Sequence, residues 1–394
     1  MTTIEGEVAA GFGAVREAFA RNFSDHGDLG AALCVYQDGR PVVDLWGGTA
    51  DEDTGSPWTR DTLQLVYSAT KGATATAAHL LAQRGELDLD APVADYWPEF
   101  AAHGKAGIPV RWLLSHRAGL VALDQPVPLE QALTWHPMVA ALAAQRPAWT
   151  PGTAYGYHGR TWGWLVGEVI RRVSGRTPGR YFADEIAAPL GLDFFIGLPE
   201  RERARVSRMR DQQPPTDQSD VPLESIPEEF RAAAAAWSDP NSLSNRAFAV
   251  TDPAAIDFNV PEVQAAELPA SNGIGTARAL ARMYAALIGE VDGVRLLTPQ
   301  TVASAAAEQS SGLDLVMMAP SRFASGYMLP TEGTPMTGPT AFGHPGRGGS
   351  LAFADPGHGI AFAYVMNTIV GGAADHRAAA LVQALSNSLL PAPI

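Results

Sequence analysis

Two stretches at opposite ends of the chain carry apolar runs broken by turn residues, the pattern of paired strands. The first, AALCVYQDGRPVVDLWGG, places two such runs around Asp38-Gly39. That dipeptide favours a tight hairpin because glycine accepts the positive φ the turn requires. The second lies near the C-terminus, where GSLAFAD and IAFAYVMN flank the turn PGHG. Between the hairpins apolar residues recur at helical spacing, predicting helices over 69–84, 110–116, 129–146, 161–174, 178–188 and 274–288. An amphipathic pattern predicts a further helix over residues 5–23, and DHRAAALVQALSNSLL a closing one. The expected fold is α/β of the α+β type. An antiparallel sheet built from both termini (1–68 and 290–394) is flanked by helices and interrupted by a mainly helical part (69–289), with a cleft between. The Pro-rich polar run RMRDQQPPTDQSDVPLESIPEEF reads as a long surface loop.

Composition narrows the class. The 394 residues are 46% hydrophobic and 18% charged, which is globular, and the formal charge of −14 argues against a nucleic-acid partner or an anionic membrane surface. No stretch approaches the roughly 20 apolar residues of a membrane span. The acidic start MTTIEGEVAAGF is unlike a signal peptide, so a cytoplasmic location is expected. The single cysteine, Cys34, forms no intrachain disulfide and reads as a small buried hydrophobe. No spacing of His, Cys, Asp and Glu suggests a metal site, and no glycine loop suggests a phosphate cofactor, so neither is expected. G-x-S-x-G is absent from the sequence as well.

The chemistry-bearing pieces are three. Ser68 and Lys71, in SATK, stand three apart at the start of a predicted helix, one face of which brings i and i+3 together. A hydroxyl there has a neighbouring amine and unpaired helix-start N–H groups, which is what acyl transfer needs. A serine N-cap beside a solvated lysine would account for the same tetrapeptide. Next, WTPGTAYGYHGRTW offers Tyr157, with Tyr155 as rival, just ahead of a helix. Finally, FGHPGRGGSLAFAD reads as a His-Pro-Gly turn preceding a strand whose edge could supply an N–H.

In this order the pieces resemble the serine β-lactamase and penicillin-binding-protein superfamily, and most nearly its carboxylesterase branch, the family VIII esterases related to class C β-lactamases. SATK matches the Ser-x-x-Lys signature, Tyr157-His158-Gly159 the Tyr-x-Asn element, and His344-Pro345-Gly346 the Lys-Thr-Gly element. LWGG, LLSHRAGL, GEVIRRVSGRTPGRYFADEIAAPLGLD and NGIGTARALARMYAAL also look like that family, extending the likeness from about residue 20 to the end.

The resemblance implies a serine hydrolase that cleaves short-chain carboxylic esters through an acyl-Ser68 intermediate. It implies Lys71 and Tyr157 as acid–base pair, with Tyr157 as phenolate the base in acylation. Ser68 and Arg347 would supply the oxyanion N–H groups, and His344, Gly346 and His158 would meet substrate. Two departures weigh against β-lactams: Gly159 removes the motif amide, and His344, charged only when protonated, replaces a permanent cation. Alternatives on the same scaffold are an acyltransferase or peptide-cyclising thioesterase, a weak β-lactamase, and a non-enzymatic penicillin-binding-like sensor. His116 reads as a structural helix end, His158 as either loop or cleft, and Trp149, Trp162 and Trp164 as core. The expected partner is a small ester. The oligomeric state is not encoded in any motif read here.

Overall fold

The computed structural model describes residues 2–212, 228–370 and 375–390. Its main sheet is formed by β1 (Ile4–Val8), β2 (Gly30–Gln37), β3 (Arg40–Asp51), β4 (Ser56–Pro57), β5 (Phe342–Pro345), β6 (Leu351–Asp355) and β7 (Ile360–Met366). The order is β1-β3-β2-β7-β6-β5, with β4 pairing β3 and every neighbouring pair antiparallel. The two termini therefore meet at the β2–β7 seam, where Ile360 pairs Gln37 and Met366 pairs Ala31. The expected antiparallel sheet with inserted helices is the architecture found.

Strand periodicity decides what covers each face. Leu33 and Val35 of β2, Leu351 and Phe353 of β6, and Phe362 and Tyr364 of β7 point to one side. There they pack with α1 (Gly13–Asp25) and the closing helix α5 (Arg377–Ser388). The alternate positions, Cys34, Ala352, Ala354, Ala361 and Ala363, are small and face α4 (Ala277–Ile288). Short side chains let that helix lie close to the sheet, whereas the bulky face holds two helices. The helix α4, grouped by sequence with the helical part, thus rests on the sheet.

The remaining helices include α2 (Thr70–Gln83) and α3 (Thr161–Ser174), which pack against each other. The predicted helix over 5–23 is corrected. Ile4–Val8 alternates inward and outward as an edge strand on β3, where a Cβ at Gly6 (φ +101°) would meet Asp44 O, and the helix starts only at Gly13. The predicted helix over 129–146 is broken at Trp135 (φ +76°), whose indole N–H donates to Glu168 2.8 Å away. Pro137 then opens a second helix, His136–Ala144, as its missing N–H allows. Of the expected long loop, residues 213–227 lie outside the described residues; Arg210–Gln212 pairs with Thr368–Val370, and Glu228–Ser238 is helical.

One buried ionic knot holds α5 to the sheet. Arg377 donates to Asp28 (2.7 Å), to Asp375 (2.8 Å), and to the carbonyls of Thr368 (3.0 Å) and Gly348 (2.6 Å). Tyr364 completes Asp28 at 2.5 Å. Removing one partner of such a buried pair strands the other's charge, at a cost of about 3–5 kcal/mol. Arg377→Ala is expected to lower the unfolding free energy by about that amount, measured by urea denaturation. A loss below about 1 kcal/mol would show that water replaces the knot.

Candidate active site

Lys71 lies on the first turn of α2 with its ammonium position fully enclosed. Its Nζ stands 3.1 Å from Ser68 Oγ, 2.9 Å from Gly159 O and 3.0 Å from Ala270 O. Burial, reinforced by the nearby Arg160 charge, lowers its pKa well below that of an ordinary lysine. A neutral amine satisfies this geometry fully. It donates its two N–H bonds to the two carbonyls and turns its lone pair to the Ser68 hydroxyl.

Ser68 sits in a short 3₁₀ turn, Tyr67–Ala69, running into α2, and its side chain makes no capping bond. The turn is held from three sides. Thr70 Oγ1 donates to Tyr67 O and accepts from Gly273 N–H (2.8 Å), the Val66 N–H reaches Gly273 O, and Ser350 Oγ reaches Val66 O. Tyr67 itself is at φ +46°, a left-handed conformation that aims the next residue into the cleft.

Tyr157 Oη lies 2.8 Å from Ser68 Oγ. Its ring stacks on Phe323 (5.9 Å, 8°), and its N–H donates to Asp314 Oδ1, a carboxylate that also gathers the Val316 and Met317 amides. Burial raises the phenol above its ordinary pKa of 10.0. The expectation of a phenolate in the resting site therefore runs against its desolvation. The rival Tyr155 points away and donates to Gly312 O and Ser321 O.

His344-Pro345 ends strand β5, so the turn read before a strand is itself strand, and the turn comes at 346–349. Neither the Ser68 nor the Arg347 backbone N–H has a hydrogen-bond partner among the described residues. The Arg347 side chain instead pairs with Asp211 at 2.9 Å. Gly346 touches the turn that carries Ser68: a Cβ there would lie 2.1 Å from Val66 O and 2.2 Å from Ser350 Oγ.

His344 lines the cavity, but burial, then Lys71, lowers its pKa to about 3. It is neutral throughout the physiological range, so no cation stands in for the motif lysine here. Nδ1 faces Pro345 O (2.6 Å), leaving Nε2 as a buried acceptor without a partner among the described residues. His158, by contrast, is turned into the loop: Nδ1 meets Gly156 O and Nε2 accepts from Leu120 N–H. It does not line the cavity, because both ring nitrogens are engaged in holding the loop. His116 accepts the His158 N–H, and Trp162 donates to Leu114 O; both are structural.

The cavity above Ser68 encloses about 570 Å³. The sequence did not single out its apolar wall, which includes Trp237, Phe248, Phe258 and Met317, or Arg160 beside it. Gly159 is the departure from Tyr-x-Asn, and a Cβ there would lie 2.5 Å from Phe248 Cε1. Phe248 thus fills the place a side chain would take. Among the described residues no cluster of three His, Cys, Asp or Glu is arranged to hold a metal ion, and no helix is long and apolar enough to cross a membrane.

A buried lysine and a tyrosine converging on one serine hydroxyl, over a cavity with free N–H groups, can be set beside known proteins. The β-lactamase family model matches residues 17–386. The chain belongs to the β-lactamase family. This is an esterase/β-lactamase-like family of serine hydrolases. The chain is 38% identical to the Mycobacterium tuberculosis protein named esterase/beta-lactamase LipL, over 91% of this chain and 82% of that one. The crystal structure of a family VIII carboxylesterase superposes with TM-score 0.83 at 37% identity, covering 98% of this chain and all of that one. EstA from Arthrobacter nitroguajacolicus Rue61a gives 0.85 at 34%, covering 97% and 98%.

Within this family geometry, Gly346 has no room for a methyl group without moving the Val66–Ser68 turn. Gly346→Ala is expected to lower kcat roughly 10–100-fold through misplacement of reacting groups, and to lower the thermal midpoint because the methyl group meets the Val66 backbone. Steady-state kinetics beside thermal denaturation checks this; unchanged kcat would show that the turn moves freely.

Proposed function

We propose that the protein is a carboxylesterase acting on short-chain esters through an acyl-Ser68 intermediate. The observation that carries this reading is the buried Lys71, held by two carbonyls so that its remaining position meets Ser68 Oγ. Ser68 Oγ attacks the ester carbonyl while its proton passes to Lys71 Nζ. The carbonyl oxygen, now negative, is received by the N–H groups of Ser68 and Arg347. The tetrahedral adduct collapses, the C–O bond to the alcohol breaks, and the departing oxygen takes a proton from Tyr157, which Lys71 replenishes. Water repeats the sequence on the acyl-enzyme and restores Ser68. The mostly apolar cavity wall supports a modest acyl chain, and the neutral His344 and filled Gly159 position favour simple esters over β-lactams.

Ser68→Ala is expected to abolish turnover of p-nitrophenyl butyrate and labelling by a fluorophosphonate probe while the protein stays folded. Full labelling of that variant at another serine would overturn the assignment. Tyr157→Phe is expected to reduce kcat by roughly 10²–10⁴.

The pH profile separates the two bases. A lysine of lowered pKa is deprotonated, and so competent, as pH rises through that lowered value. A tyrosine of raised pKa remains a phenol beyond pH 10. The kcat/KM for a non-ionising ester should rise to a plateau that extends through about pH 10, and Tyr157→Phe should lower the plateau without removing the rise. A rate still climbing through pH 10, and losing that climb in Tyr157→Phe, would make the phenolate the base.

A further inference from the structure

One charged side chain in the cavity is not absorbed by this mechanism. Arg160 directly follows Gly159, whose carbonyl holds Lys71, and precedes α3. It lines the same cavity as Ser68, with its guanidinium 5.9 Å above the Phe258 ring. Unlike Arg347, which is tied to Asp211, it makes no ion pair and no side-chain hydrogen bond among the described residues, and its Nη1 is buried without a partner. The surroundings sharpen the point. Its charged neighbour is Arg347, of like sign, and burial with that repulsion lowers its pKa to about 10, still a cation at neutral pH. A guanidinium held in a mostly apolar pocket without a counter-charge is unfavourable until an anion completes it. Its planar fork suits a carboxylate in particular.

We propose that Arg160 receives a carboxylate carried by the substrate, so that the preferred esters bear a second, ionised carboxyl group. This rests on the esterase reading and names its substrate class. The site differs from that of the motif lysine. Arg160 stands at the start of α3 and His344, at the motif lysine's position, on strand β5, and both line the cavity. The anion is received elsewhere around the nucleophile, by a residue outside the three motifs.

The test compares p-nitrophenyl butyrate with p-nitrophenyl hemisuccinate, and with 4-butyryloxybenzoate, which carries the carboxylate on the alcohol side. The ratio of kcat/KM, anionic to neutral, is expected to exceed one for at least one anionic ester. It should fall roughly 10–100-fold in Arg160→Gln and recover in part in Arg160→Lys. If Arg160 only tunes Lys71, both esters change together and the ratio stays fixed, which overturns the proposal. A second arm needs no turnover: monomethyl glutarate binding to Ser68→Ala, by calorimetry, should weaken in Ser68→Ala/Arg160→Gln. Equal binding by the two overturns the proposal. If no ester is cleaved and Ser68 is not labelled, the esterase reading fails, and the binding arm alone decides Arg160.

Discussion

The dehydration of one amine organises this structure. Lys71 is carried on a helix lined with alanine and threonine, and it is sealed by segments distant in the chain. Gly159 lies 88 residues away and Ala270 199 residues away, and each contributes a backbone carbonyl to the same nitrogen. An isolated lysine in such a place is costly as an ammonium, and the cheap response is to release the proton. Three distant stretches of the helical part, at Lys71, Gly159 and Ala270, must therefore close on one another to produce a neutral amine beside a hydroxyl. Fold and acid–base chemistry are linked through that closure.

The same closure fixes Ser68. Ser68 is at the junction of a strained residue, Tyr67, and the first turn of α2. Thr70 and Ser350 pin that junction to Gly273 and to the segment after β5. Arg377 ties the carbonyl of Gly348, in the turn that carries Arg347, to the buried carboxylate Asp28. A side chain on the terminal helix thus steadies a turn in the cleft through a hydrogen bond and buried ion pairs. Stability of the α5 face and geometry of the turn that carries Arg347 are not independent properties of the chain.

What could be read from the sequence follows from what is local. Ser68 and Lys71 are three residues apart, and the Asp38-Gly39 and PGHG hairpins announce themselves by turn chemistry, so these were legible. The alternation in IAFAYVMN showed a strand, although not that its alanines admit α4. Long-range roles were hidden. A carbonyl such as Ala270 O belongs to every residue type and leaves no mark in composition. Edge strand Ile4–Val8 is five residues long and its apolar positions merge with those of the helix that follows. The sequence allows His158 either loop or cleft, and only the tertiary partners Leu120 and Gly156 place it in the loop. Arg160 resembled any loop arginine until its lack of a partner was visible.

The two departures from the superfamily pattern are consistent with one another. Gly159 keeps its carbonyl on Lys71 while Phe248 occupies the volume next to its α-carbon, so the motif amide is replaced by an apolar wall. An additional ammonium at position 344 would stand beside Lys71 and press its proton affinity lower still. A neutral imidazole adds no such charge and leaves Nε2 as a buried acceptor without a partner among the described residues. With the amide and the second lysine both absent, the depressed pKa of Lys71 depends on burial first and on Arg160 second. That order matters: a bound anion at Arg160 would cancel the smaller contribution and leave the larger intact, so the lowering of the Lys71 pKa would persist with an anion bound.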